Sequence, residues 1–144
     1  MTNISNHVPT KETCLKMKEL GFKQDTIFGY HKIEHFSGKE ITYPVVFHEL
    51  KEILEEENKP FVCAAPIATE IIEELPKQIS PLENLEKYVL EFGFENNKYW
   101  VCYVNHQFEA GGMSYKWMPE NESFVEALAL MYIHLKENKL MGEG

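Results

Sequence analysis

Residues 31–35 read His31, Lys32, Ile33, Glu34, His35, the H-x-x-E-H order of one class of zinc peptidase. On a helix that spacing puts both histidines on one face. The glutamate then stands beside them as general base, and a third ligand arrives from farther along the chain. A second pairing sets the Cys102 thiol four residues before His106, the residue types of a nucleophile and its base. A small metal-dependent or cysteine-dependent hydrolase is therefore one function class that the residues raise.

The elements that must position these groups argue against both. Ile27, Phe28, Tyr30, Ile33 and Phe36 surround Gly29 and precede Ser37-Gly38-Lys39. That aromatic and β-branched mixture predicts a strand over 25–36, a turn, and a short second strand over 40–43. In a strand His31 and His35 share a face but stand roughly 13 Å apart, four residues at about 3.3 Å each, while Glu34 points the other way. One ion does not bridge that gap, so the two histidines are read as exposed strand residues. Cys102 falls in a run that is apolar on both faces, where a cysteine is ordinarily a core residue. His48 and His134 fall on or beside helical apolar stripes and are read as structural. No catalytic residue, metal or cofactor is assigned.

Bulk properties narrow the field further. The 144 residues, 44% hydrophobic, are enough for one globular domain over 1–144, with 1–9 and 141–144 as flexible tails. A net charge of −9 without a lysine-arginine run opposes direct binding to nucleic acid, which needs clustered cations to displace counterions. Cys14, Cys63 and Cys102 are odd in number and widely spaced, as reduced core cysteines are. No run nears the ~20 apolar residues of a membrane helix, and MTNISNHVPTKETC lacks a signal-like apolar stretch. A cytoplasmic protein with no membrane association is expected.

Local signals predict an α+β fold, a small antiparallel sheet with about four helices packed on it. Thr10 caps a helix through Leu20, Gly21 stops it in a left-handed position, and Phe22 packs back on Met17. Pro44 opens a second helix with Val46, Phe47, Leu50, Ile53 and Leu54 on one stripe. FVCAAP at 61–66 reads as extended, 67–76 as a short helix, and the chain through Ser80 and Pro81 as a linker. Tyr88, Leu90, Phe92 and Phe94 alternate with Val89, Glu91, Gly93 and Glu95, a strand with the first set buried. Asn96-Asn97 turns it into a returning strand over 98–104, apolar on both faces and so either central or covered by a partner. Gln107 to Pro119 with Gly111-Gly112 is a bent strand or a loop. Ser123 with Glu126 forms a capping box for a last helix ending near Asn138.

Three stretches, CLKMKELGFKQ at 14–24, AAPIATEIIEELPK at 64–77 and FVEALALMYIHLKENKLM at 124–141, resemble the landmarks of a family of small uncharacterised phage and prophage proteins. The chain departs from them at Ile67, where the family more often has Thr, and in a longer 28–60 segment. The resemblance implies a bacterial or phage setting, hence a bacterial host cytoplasm, and an α+β fold. It carries no catalytic residues.

The remaining clue is aromatic. Tyr99, Trp100, Tyr103, Tyr115 and Trp117 concentrate near one hairpin and its Gly-Gly loop, which suits binding of a protein partner or a homodimer. A non-enzymatic phage accessory protein acting through protein–protein interaction is the leading expectation. The acidic surplus raises a further class, a DNA mimic that inhibits a host DNA-binding protein.

Overall fold

The computed structural model describes residues 6–34, 40–46, 61–80, 87–105, 113–114 and 118–141. Among them lie α1 (Lys11–Glu19), β1 (Phe28–Glu34), β2 (Glu40–Val46), β3 (Phe61–Ala64), α2 (Ala68–Glu74) and β4 (Gln78–Ile79). There follow β5 (Tyr88–Glu95), β6 (Lys98–Asn105), β7 (Met113–Ser114), β8 (Glu120–Asn121) and α3 (Phe124–Glu137). The class is α+β as expected, with two corrections. There are two antiparallel sheets, in the orders β2-β1-β3 and β4-β5-β6-β7 with β8 also on β6, and three helices among the described residues. The helix expected from Pro44 begins in the wrong state, because Pro44 pairs with Tyr30 inside β2. A proline is tolerated in an edge strand, where one side of the backbone needs no ladder partner. The remainder of that expected helix lies outside the described residues. The chain divides into two compact units, Met1–Glu70 and Ile71–Gly144, with the division inside α2.

In the first unit α1 forms as its termini dictate. The Thr10 hydroxyl accepts from Thr13 N at 3.3 Å, and Gly21 takes φ +94. The Phe22 amide then reaches back to Met17 O at 2.9 Å while Gly21 N meets Lys18 O at 3.0 Å, the two bonds of a Schellman stop. Cys14 and Met17, at helical spacing, are buried and Phe22 is buried with them, while Leu20 at the helix end is half-buried. Val8 and Pro9, in the segment expected to be a tail, are buried as well, and Pro9 O accepts from the Tyr30 hydroxyl at 2.6 Å. Val8, Cys14, Tyr30, Cys63 and Ala65 form one apolar cluster.

A β-bulge interrupts the β1–β3 ladder, where Tyr30 pairs with Cys63 but His31 with Phe61. Val62 is left between the two pairs, and its carbonyl accepts from Lys18 Nζ at 2.9 Å, which satisfies a group the ladder releases. Gln24 adds a second tie, its Oε1 accepting from Ala64 N at 2.8 Å.

Glu70 sits at the third position of α2 and its carboxylate reaches back to the amide of Ile67 at 2.9 Å, half of a capping box. Its other oxygen accepts from Ile27 N at 3.0 Å. Glu70 therefore joins the start of α2 to the residue just before β1. Replacing Glu70 by Ala removes two charge-assisted hydrogen bonds and is expected to cost about 1–2 kcal/mol in urea unfolding, with Glu70→Gln recovering part of it. Equal stability of wild type and both variants would contradict this role.

Candidate functional site

The β5–β6 hairpin is built by its turn. Asn96 and Asn97 take φ 54 and 62, the positive values a two-residue turn requires. They set Glu95 opposite Lys98, Phe94 opposite Tyr99, Gly93 opposite Trp100 and Phe92 opposite Val101. Because paired residues share a face, Leu90, Phe92 and Phe94 lie with Tyr99, Val101 and Tyr103, while Val89, Glu91 and Gly93 lie with Trp100, Cys102 and Val104.

Burial falls steeply along the first of these faces. Tyr103 and Val101 are fully buried, but Phe92 is 48% and Phe94 59% exposed. The expectation that Tyr88, Leu90, Phe92 and Phe94 would all be covered is thus overturned in its second half. The reason is the reach of α3. Its Ser123 cap accepts from Glu126 N at 3.3 Å, and the helix starts at Phe124. The Phe124 ring stands 5.1 Å from Phe92 and 5.5 Å from Tyr99, and Phe94 lies 4.7 Å from Tyr99. These tilted pairs form a continuous aromatic patch toward the turn end of the hairpin. The capping box is only half made, since Ser123 N donates to Asn121 Oδ1 at 2.8 Å, and Glu126 is instead buried.

On the opposite face the half-buried Trp100 lies across Gly93. A Cβ there would stand 2.5 Å from Trp100 Cζ2 and 2.7 Å from Cε2, so only glycine admits the indole. Val89 on this face is 45% exposed. Of the aromatic residues singled out from the sequence, the hairpin therefore holds Tyr99 and Trp100 half-exposed on opposite faces. Tyr103 offers no surface, and its hydroxyl donates to Pro76 O at 2.7 Å. Tyr115 and Trp117 lie outside the described residues. Phe92, Phe94 and Phe124 were not singled out, although Phe-x-Phe next to a tight turn was visible as a signal.

The H-x-x-E-H word has no helix beneath it, since residues 31–34 are extended in β1. His31 is not exposed as expected but fully buried, its ring 5.5 Å from that of Phe61, and His35 lies outside the described residues. No group of three His, Cys, Asp or Glu side chains among the described residues is placed to hold a metal ion. All three cysteines are buried and none is in a disulfide. Burial pushes the Cys102 thiol up to about 11, with Glu91 adding to the shift. Burial raises Cys63 to about 11 as well, against the opposing pull of Lys18 and Lys11. Neither thiol is a thiolate at neutral pH, and His106, the base imagined for Cys102, lies outside the described residues. At the far end of α3 from Phe124, a recess of about 220 Å³ is lined by Leu135, Lys136, Lys139 and Met141, below the size usual for ligand pockets. No helix among the described residues is long and apolar enough to cross a membrane. Compared with known proteins, the chain matches no family model, no curated protein and no solved structure.

Two outcomes follow from this geometry. Gly93→Ala is expected to destabilise by about 1–3 kcal/mol through overpacking against the indole, and Trp100→Ala in the same chain should remove most of that penalty. Additive losses in the double-mutant cycle would refute the stacking. The thiols bind their protons more tightly folded than unfolded, so their contribution to stability is full below pH 9 and is lost as pH rises toward 11. Alkylation of the native protein at neutral pH should correspondingly be much slower than in urea, and equal rates would show that the thiols are accessible.

Proposed function

We propose that this chain is a non-enzymatic accessory protein of phage or prophage origin that works by docking a protein partner, or a second copy of itself, on the β5–β6 hairpin. The observation that carries the reading is the paired exposure of Phe92 and Phe94 beside Tyr99 and Phe124. Large apolar side chains grouped at the surface cost solvation free energy that a partner recovers. Covering the exposed halves of two phenylalanines yields on the order of 2 kcal/mol, about thirtyfold in affinity. Such rings also lose little rotamer freedom on binding. Tyr99 and Trp100 extend the surface to both faces of the hairpin, and Tyr115 and Trp117 belong to the same proposal from the sequence alone. The phage setting rests on the three landmark stretches at 14–24, 64–77 and 124–141.

The test is affinity capture from bacterial lysate with the wild-type chain and with Phe92→Ser/Phe94→Ser, together with sedimentation of each. A captured protein, or a dimer, that is lost by tenfold or more in the variant at unchanged melting temperature is expected. Identical capture and identical subunit number for both chains would sink the reading.

A further inference from the structure

Strand β3 has β1 on one side and, among the described residues, no strand on the other. Alternate residues of an antiparallel strand turn their peptide groups to opposite sides. Ala65 N donates to Phe28 O at 3.0 Å, so residue 65 faces β1 and the peptide groups of Ala64 face away from it. Two groups on that outer side are taken by side chains. Ala64 N donates to Gln24 Oε1 at 2.8 Å, and Val62 O accepts from Lys18 Nζ at 2.9 Å. Gln24 is itself held, its amide donating to Phe22 O at 2.8 Å and to Lys23 O at 3.2 Å. Lys18 Nζ also stands 5.8 Å from the centre of the Phe61 ring. Ladder hydrogen bonds run across the strands within the sheet, so Gln24 takes the position of a further strand's carbonyl and Lys18 that of its N–H.

We infer that Lys18 and Gln24 close the β3 edge against strand addition, and that the occupant they exclude is β3 of a second copy. The pairing fits that occupant. About a two-fold axis at Cys63, Ala64 of each chain lies opposite Val62 of its mate, and Ala64 N of each donates to Val62 O of the other. These are the same donor and acceptor that the two side chains take. The strand reads Phe61, Val62, Cys63, Ala64, so two copies meet without charge repulsion, and the strand has no lysine or proline of its own to blunt the edge. The bulge at Val62 bends it but leaves both groups directed outward.

The experiment compares the full wild-type chain with Lys18→Ala/Gln24→Ala by sedimentation over a range of concentrations and by amide hydrogen exchange. Glu70→Ala weakens the same unit without removing either cap and controls for lost stability, while Lys18→Arg keeps a donor for Val62 O. Lys18→Ala alone, a change at an exposed side chain, carries the sedimentation test where the pair of substitutions weakens the fold. The double variant is expected to self-associate about tenfold more tightly than wild type. Its Ala64 amide should exchange about tenfold faster when dilute and slow again as concentration rises. Amides at 92–99 should exchange as in wild type, which separates this contact from one at the hairpin. Lys18→Arg and Glu70→Ala should match wild type in subunit number. An Ala64 amide as slow in the dilute double variant as in wild type would overturn the inference, because something other than Gln24 would then cover the edge. Fast exchange at every concentration with unchanged subunit number would overturn it as well, since the edge would be open and unused. Equal association of Glu70→Ala would do the same, by tracing self-association to lost stability.

Discussion

Strand β6 is apolar on both faces and must be covered on both, and most of the second unit answers that requirement. Its edges are taken by β5 on one side and by β7 and β8 on the other, which satisfies the backbone groups that burial would otherwise strand. On one face Val101 and Tyr103 are sealed, and the single polar atom brought in with Tyr103 finds Pro76 O. On the other face Trp100 folds down over Gly93, so a side chain too large for the interior covers the partner strand and keeps its edge near water. The paired positive φ values of Asn96 and Asn97 hold this register, and a slip of one residue would exchange the two faces.

The first unit solves a different problem, a small core crossed by irregular backbone. Its apolar cluster is drawn from α1, β1, β3 and the residues just before α1. The bulge at Val62, the end of β3 at Ala64 and the approach to β1 at Ile27 each release a peptide group, and Lys18, Gln24 and Glu70 take these up by long-range hydrogen bonds. Residues that look from the sequence like a solvated surface are therefore part of how this unit closes. His31 belongs to the same economy of space, packed on Phe61 in the interior instead of aimed at a ligand.

The surface that remains open is the end of the hairpin where α3 begins. Helix and hairpin meet at Phe124, whose ring lies against Phe92 and Tyr99, while Phe94 lies against Tyr99. An apolar patch of this kind is costly to display to water.

Much of this was legible in the residues alone, and the division follows the range of the interaction. The ends of α1, the Asn96-Asn97 turn, the strands over 28–34 and 98–105 and the last helix depend on caps, positive φ and side-chain period, all decided within a few residues of the site. The edge-strand place of Pro44, the pairing of β4 and β8, the burial of His31 and the exposure of Phe92 and Phe94 were not legible. A two-residue strand carries no period, a proline that opens a helix reads the same as one at a sheet edge, and alternation names two faces without saying which is covered or how far. The sequence by itself determined the local elements and the thiol and charge inventory. Tertiary structure alone decided which surfaces stay uncovered, because burial depends on how far a non-local element extends, and here α3 stops covering the sheet at Phe124.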